Sequence, residues 1–399
     1  MPTPSSNKIL GTQNPTLSSL LNEALTGLTE RVQDGYTMPP GAYVSEAFFN
    51  LEVERIFKRD WLCVGHVGQI PKVGDYFTLE LFHEPMVVVR AADRIRVLSS
   101  VCRHRWAPIA RGAGHASAFS CPFHRWSYGL DGHLIGAPLM EQAAGFDKKS
   151  CRLPEFRSEV VEDLGLIFVT FSDSVTSISE QLSGLCRRAR EEGWSLNNQV
   201  VVQSLEQVNR YNWKIQVETY VECYHHIGGH STTLQKIMPA AGSWCEEDKG
   251  SWTVCHASLN KDLRGLSESE LITVETFAKE SFPDGVAGHI VVIYPCTLVT
   301  FMNGGADIRV LAPLSARETR STILATRRRE HAESPGFAEW LSHYTATAEV
   351  INKEDNDINL MQQIGVASSR AAVGRFSHLE AGAWHLAQYV RRRVAQGDA

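Results

Sequence analysis

No run in the sequence reaches the roughly 18 apolar residues that a membrane-spanning helix needs, and the N-terminus lacks a basic segment followed by an apolar core. A soluble, cytoplasmic chain is expected. Neither sign of charge dominates: 39 Lys and Arg stand against 45 Asp and Glu, a formal net charge of -6. That balance gives no global pull toward nucleic acid or anionic lipid, so a small-molecule substrate is expected. Cysteine is sparse, nine in all, odd in number and scattered, which argues against a secreted disulfide framework. Reduced thiols, some committed to metal, are expected instead. No GxGxxG fingerprint is evident, so any nicotinamide the chemistry requires binds on another protein.

What is present is enough for two domains, with 399 residues of which 43% are hydrophobic. Residues 1–42, rich in Ser, Thr and Pro, read as a partly mobile N-terminal arm with one apolar helical stretch around Leu17 to Leu28. Residues 43–173 begin with a helix signal at Ser45 to Arg59. Short β-like runs follow at Leu62 to Val67, Tyr76 to Leu81, Met86 to Arg90 and Ile95 to Ser99, and Leu166 to Phe171 returns to close the sheet. Residues 174–399 open with a helical and then extended connection to about Arg210. Strands at Ser251 to His256, His289 to Phe301, Ile308 to Pro313 and Thr322 to Arg327 then alternate with polar turns as an antiparallel sheet would. A helix over Pro335 to Ile351 delivers an acidic run, Glu354-Asp355-Asn356-Asp357.

Two motifs carry chemistry. Cys102-Arg103-His104 and, sixteen residues later, Cys121-Pro122-Phe123-His124 each offer one thiolate and one imidazole from a tight loop, four ligands in total. A structural zinc site is the plainer reading. It ordinarily groups its two cysteines apart from its two histidines, whereas one Cys and one His per loop is the arrangement of a Rieske [2Fe-2S] centre. The second motif is Glu222-Cys223-Tyr224-His225-His226-Ile227-Gly228-Gly229-His230, read as a metal-binding helix. On an ideal helix Glu222 and His225 share a face, while His225 and His230 lie about 140° apart. Both histidines reach one ion only if the helix breaks, and the Gly228-Gly229 pair sits in the gap. A non-haem iron site needs a carboxylate as well, and Glu354, Asp355 and Asp357 are the candidates. Glu222, one turn before His225, is placed to accept that ring's other N–H. His226 is expected to pack or hydrogen-bond on another face.

Together, Cys102-Arg103-His104-Arg105, the run Cys121 to Gly132 and the stretch Asn212 to His230 resemble the α subunit of Rieske non-haem iron oxygenases, over about Tyr43 to Arg375. The resemblance implies an α+β chain: an all-β Rieske [2Fe-2S] domain, then a helix-grip catalytic domain with an antiparallel sheet around a long helix. It implies a cluster on Cys102, His104, Cys121 and His124. It also implies a mononuclear Fe(II) on His225, His230 and Asp355, with Glu354 and Asp357 as surface or supporting acids. By the same match, Glu222 is the catalytic bridge that links the iron ligand His225 to His124 of a neighbouring subunit. A homotrimer follows, with an α3β3 assembly as the alternative. Electrons come from an NAD(P)H-linked reductase, with or without a ferredoxin. Glutamate at 222, where ring-hydroxylating dioxygenases usually carry aspartate, is similar to the branch of quaternary-amine monooxygenases and leans toward monooxygenation or oxidative demethylation over cis-dihydroxylation of an aromatic ring. Three departures stand out: Trp106 and Arg125 replace frequent glycines in the cluster loops, and Thr219 replaces a frequent asparagine near the iron.

The substrate is not legible from these motifs. Trp244, Tyr294, Phe301 and Met302 are candidates for an apolar pocket, although such residues on strands are more often core, and His289 is expected to be a packed histidine. A trimethylammonium substrate calls for an aromatic cage, and an arene carboxylate for an Arg or Lys in the cavity. Other classes remain distinguishable. A Rieske ferredoxin-like carrier needs only the first half of the chain, and a zinc-stabilised binding module needs no colour.

Overall fold

The structure, a computed structural model, describes residues 16–194, 196, 198–262, 264, 267, 271, 282 and 285–396. Seventeen strands form four sheets among these residues. In the first half, β1 (Leu62–His66), β9 (Arg157–Val161) and β10 (Leu166–Thr170) make one antiparallel sheet in the order β1-β10-β9. β2 (Asp75–Leu81), β3 (Glu84–Arg90), β4 (Ile95–Ser99) and β5 (Ala113–His115) make a second, in the order β4-β3-β2-β5. The expected return of Leu166 onto β1 is observed, with Leu62 opposite Val169. A small third sheet of β6 (Phe119–Ser120), β7 (Ser127–Tyr128) and β8 (Leu134–Gly136) carries the second Cys-His loop between its first two strands.

In the second half, β11 (Gln199–Asn209), β12 (Trp244–Cys245), β13 (Trp252–Ser258), β14 (Val286–Ile293), β15 (Thr297–Met302), β16 (Gly305–Ser315) and β17 (Glu318–Arg328) form one antiparallel sheet in the order β11-β17-β16-β15-β14-β13-β12. The stretch read as His289 to Phe301 divides at a cis Tyr294–Pro295 bond into β14 and β15. Side chains alternate along β16: Ala306, Ile308 and Val310 are buried on one face, while Asp307 and Arg309 lie half-buried on the other. The 30-residue helix Phe337–Val366 runs past that second face. It does not stop before the acidic run, as the sequence suggested, but carries Glu354, Asp355 and Asp357 in its middle.

The site helix Trp213–Tyr220 is fastened at its start. The Asn212 side chain accepts from the Lys214 N–H at 3.0 Å and donates to the Ala316 carbonyl at 2.8 Å, and the Asn212 N–H donates to Gln363 Oε1 at 2.7 Å. Beneath it, Lys214 is fully buried, 2.7 Å from an equally buried Glu52 that also accepts from Trp213 Nε1 at 3.1 Å. The rings of Tyr43, Trp213 and Phe48 stand 5.1, 5.3 and 5.7 Å from the ammonium. This pair joins the two halves, because Glu52 lies on the helix Glu46–Glu52 that leads into β1. One apolar core continues through it, from Phe57, Phe77 and Met86 to Trp213, Leu298 and Leu386.

Two expectations need correction. The described part of the expected N-terminal arm is packed: Leu20 and Ala24 of the helix Leu17–Thr26 are buried, and Arg391 of the C-terminal helix Ala381–Ala395 donates to the Ala24 carbonyl at 2.8 Å. The thiols are not all reduced either, since Cys245 and Cys255 face each other across β12 and β13 and are bonded. The other seven are free.

Removing one partner of a buried ion pair strands the other charge. Lys214→Met is therefore expected to cost about 3–5 kcal/mol in urea unfolding, with both halves lost in one transition. Two separate transitions would show that the Lys214–Glu52 contact does not join them.

Candidate functional site

The helix expected to present both histidines ends earlier than the sequence suggested. Its last residue is Tyr220, and His225 lies in a separate 3-10 turn, Tyr224–Ile227. Beyond that end Glu222 holds the chain away from helix. Its Oε2 accepts the His225 N–H at 2.9 Å, the donor that a continuing α-helix would have aimed at the Val221 carbonyl. Its Oε1 meets His225 Nδ1 at 2.8 Å. The chain then turns through Gly228 and Gly229, whose N–H groups both donate to the His225 carbonyl. A Cβ on Gly229 would stand 3.1 Å from Ile358 of the long helix, so the bare backbone lets that helix approach.

Asp355 and the two histidines converge. Asp355 Oδ1 lies 2.9 Å from His230 Nε2 and 3.6 Å from His225 Nε2. Each imidazole is oriented from behind by a second carboxylate, His225 Nδ1 by Glu222 and His230 Nδ1 by Glu354 at 2.7 Å, which also accepts from Thr233 Oγ1 at 2.7 Å. That leaves both Nε2 atoms and one carboxylate facing a single point, with both rings fixed in orientation. Burial alone would make His225 less basic, but its hydrogen bonds to Asp355 and Glu222 win and lift it to about 10. Burial would likewise raise Asp355, yet contacts with His225 and His230 hold it well below the usual carboxylate range. Three carboxylates around two imidazoles form a field that a divalent cation satisfies, and this donor set suits non-haem iron.

His226 also lies near, with ring nitrogens of His225, His226 and His230 all within 4.8 Å of one another. Its Nδ1 is occupied by the Met238 carbonyl at 2.8 Å, and burial lowers its pKa to about 4, so it packs as a neutral ring. Asp357 pairs instead with Lys353 at 2.6 Å on the exposed side of the helix. Thr219, where an amide is frequent, donates to Asn359 Oδ1 at 2.7 Å and ties the site helix to the long helix one turn beyond Asp355.

The other four ligand candidates also come together. Cys102 and Cys121 are buried free thiols, and the His104 and His124 rings lie 4.6 Å apart, His124 exposed at the surface. His104 Nδ1 is buried with no hydrogen-bond partner, an orphaned nitrogen that a cluster iron would satisfy. The two loops are built alike: the Trp106 N–H donates to the Cys102 carbonyl at 3.1 Å, and the Arg125 N–H to the Cys121 carbonyl at 3.0 Å. Both residues adopt the left-handed conformation, with φ of 58° and 60°. That is why glycine is favoured there, and each substitution costs roughly 1–2 kcal/mol.

Sequence reasoning did not find several of the supporting groups. Tyr128 Oη sits 3.3 Å from Cys102 Sγ and accepts from the Arg103 N–H at 2.9 Å, and Trp126 stacks on His104 at 4.8 Å. Both belong to the quoted run after Cys121, although pattern alone does not say which way they face. A cavity of about 520 Å³ adjoins the triad, lined by Tyr220, Thr300, Met302, Arg309, Asn352 and Asp355 among others. Of the four apolar pocket candidates only Met302 lines it. Trp244 stacks on His256, Tyr294 on Tyr389 and Phe301 on Trp194, and His289 is packed against His256 and Trp194 as expected.

Residues 60–156 match the family described as Rieske [2Fe-2S] domain, and residues 189–396 the family described as ring hydroxylating alpha subunit (catalytic domain). The chain is 28% identical over 314 residues to the carnitine monooxygenase oxygenase subunit of Escherichia coli K12, covering 77% of this chain and 80% of that protein. It is 32% identical over 291 residues to putrescine 2-hydroxylase of Ralstonia nicotianae, covering 72% and 75%. Its fold superposes on a quaternary ammonium Rieske monooxygenase solved with L-carnitine with a TM-score of 0.75 at 23% identity, over 90% of this chain and 96% of that one.

Asp355→Ala is expected to leave the visible absorption of the cluster unchanged and to lower iron from about three per chain to about two. Retention of the third iron would remove Asp355 from the ligand set. A hydrogen bond to a cluster sulfur favours the reduced state, so Tyr128→Phe is expected to lower the cluster potential by on the order of 50 mV. An unchanged potential in a redox titration would show that the hydroxyl serves only the Arg103 backbone.

Proposed function

The chain belongs to the Rieske non-haem iron oxygenases as a terminal oxygenase, and on that footing we propose that it inserts one oxygen atom into a small organic substrate, by hydroxylation or oxidative demethylation. The family's cofactors divide the chemistry: a [2Fe-2S] cluster delivers electrons singly and a mononuclear iron activates O2. Cys102, His104, Cys121 and His124 would hold the first, and His225, His230 and Asp355 the second. The observation that carries the reading is the convergence of those last three side chains, each imidazole backed by a glutamate, on the wall of a substrate-sized cavity. A single oxygen is favoured by glutamate at position 222. The relatives named for monooxygenation of carnitine and for 2-hydroxylation of putrescine point the same way.

Glu222 does more than orient His225. It lines the substrate cavity and also a second cavity of about 740 Å³ on the other side, bordered by Tyr224, Ile227 and Ile358. Ile227, which borders this second cavity, is exposed, as are Met361 and Ile364 on the long helix that also borders it. A matching set surrounds the cluster loops, where Trp106 is 78% exposed and Phe123 52%. Two different apolar patches on one chain are what a head-to-tail ring buries. The reading is a homotrimer in which exposed His124 of one subunit docks beside Glu222 of the next, and Glu222 carries the electron path to His225. A separate NAD(P)H-linked reductase, with or without a ferredoxin, supplies the electrons. The chain is divided accordingly, with residues 1–42 leading in, 43–173 holding the cluster and 174–399 holding the iron.

With 18O2, the product is expected to carry one labelled atom. A cis-diol with two would replace monooxygenation by ring dihydroxylation. Glu222→Gln removes the charge but keeps the shape, so both metals are expected to stay. Oxidation of the prereduced cluster in a single turnover should slow roughly 10- to 100-fold, the order of loss when a hydrogen-bonding partner of a ligand histidine is removed. A native single-turnover rate would end the bridging role.

A further inference from the structure

Arg309 projects from the face of β16 that looks toward the long helix, into the cavity beside the triad. Among the described residues it is the only Lys or Arg that lines that cavity. Its position is pinned on two sides. One guanidinium nitrogen donates to Asn352 Oδ1, and its Cζ lies 5.2 Å over the ring of Tyr220, whose own hydroxyl is held by Thr300 Oγ1 at 2.6 Å. A guanidinium has five N–H donors in a fixed fork, and the Asn352 bond uses one of them. Among the described residues no carboxylate lies within ion-pair distance of Arg309. Asp307, next on the same strand face, pairs with Arg327 at 3.5 Å, and Glu349 is exposed. A half-buried cation with spare donors, facing an enclosed space, is a receptor for an oxyanion.

The same cavity is poorly made for a bare quaternary ammonium. Among the described residues its two aromatic lining residues, apart from histidines, are Tyr220 and Tyr344. Each already has a guanidinium of the protein over its ring, Arg309 on Tyr220 at 5.2 Å and Arg327 on Tyr344 at 4.6 Å. Among the described residues no set of unoccupied aromatic rings surrounds the cavity as a cage for a ligand cation, and Arg309 would repel one.

We propose that Arg309 is the specificity-determining residue of the cavity and that the substrate carries a carboxylate or sulfonate, which Arg309 receives. This rests on the terminal-oxygenase reading above. Asn352 precedes Asp355 by one helical turn, about 5 Å along the axis, so the oxyanion held beside Asn352 sets the oxidised carbon only a few bonds from the charge. The substrate is therefore a short organic acid, and any ammonium group it also bears is secondary to the acid in recognition.

The test uses the full-length enzyme, with cluster and iron content verified in each sample, and a panel of small carboxylates and sulfonates. Each acid is paired with its uncharged amide, and choline serves as a quaternary ammonium without an acid. Equilibrium binding is read by titration calorimetry without reductant. The acid is expected to bind at least 10-fold more tightly than its amide. Arg309→Met should weaken the acid roughly 10- to 100-fold and leave the amide unchanged, and Arg309→Lys should recover part of the loss because it restores the charge without the fork. Carboxylate members binding more tightly than sulfonates, or the reverse, assigns the anion. The proposal is overturned if no acid binds, if acid and amide bind native enzyme equally, if Arg309→Met weakens both alike, or if choline binds as tightly as the best acid. Failure of the underlying reading looks different. Acids that bind through Arg309 but never gain labelled oxygen in the fully loaded, reduced enzyme would sink the oxygenase function and leave the anion site standing.

Discussion

One carboxylate oxygen has to reach two imidazoles that enter from a segment 125 residues away in sequence, and much of the second half of the chain is arranged around that meeting. Asp355 is carried on a helix, whose rigidity fixes its height and phase. His225 and His230 are carried on turns, which can place two rings at angles a helix cannot. The joint between them is held by polar contacts at both levels. Thr219 to Asn359 and Asn212 to Gln363 tie the site helix to the long helix, and Gly229 removes the side chain that would keep the two apart. Below them the Lys214–Glu52 pair fastens the same site helix to the first half of the chain. A buried charge pair contributes little net stability against an apolar replacement, but it tolerates no loss of one partner. Its value here lies in fixing register between the halves.

Glu222 and Glu354 hold the two imidazoles that face Asp355. Each accepts from the nitrogen that faces away from Asp355, which fixes the ring so that its Nε2 is directed at Asp355. Adjacent acids on one helix thus serve the two nitrogens of one ring: Glu354 takes Nδ1 of His230 and Asp355 faces Nε2. Asp357, two residues on, is turned to solvent and paired with Lys353. Three acids in four residues therefore have three different environments, set by helical phase alone.

This is also where sequence reading met its limit. The cluster loops were legible because their four ligand candidates lie within 23 residues in two short motifs, and local spacing carries that information. The break between His225 and His230 was legible from the angle and the glycine pair, but its true start was not. A side chain that captures one backbone N–H holds the chain away from helix, and nothing in the apolar pattern announces that. Choosing Asp355 among its neighbours required resemblance to a family, because Glu354, Asp355 and Asp357 are equivalent until the helix is docked. The lining of the cavity was the least accessible. Parity along β16 separates Asp307 and Arg309 from Ala306, Ile308 and Val310, yet which face looks at the iron depends on how the sheet curls. Trp244, Tyr294 and Phe301 stack on other rings of the protein, the packing role more often expected of aromatic residues on strands.

The cluster loops show the opposite economy, with strain accepted at the surface. Trp106 and Arg125 hold a left-handed backbone that glycine would adopt without cost, in two loops that each return an N–H to a ligand cysteine's carbonyl. Nothing inside the loops requires those side chains, because both point outward and both loops close through backbone atoms. Between Arg94 and Leu130 the sequence contains six arginines and no acid. Arg94 and Arg96 are paired with Glu155 and Asp93, whereas Arg103, Arg105 and Arg125 stand exposed on the two cluster loops, beside the exposed rings of Trp106 and Phe123. A basic surface with exposed rings attracts an acidic or apolar counterpart and repels a copy of itself. Like-to-like pairing of two cluster faces is disfavoured on charge, whereas docking against the apolar rim outside Glu222 is not. The head-to-tail contact proposed above would bring these two surfaces together and set His124 of one subunit beside Glu222 of the next.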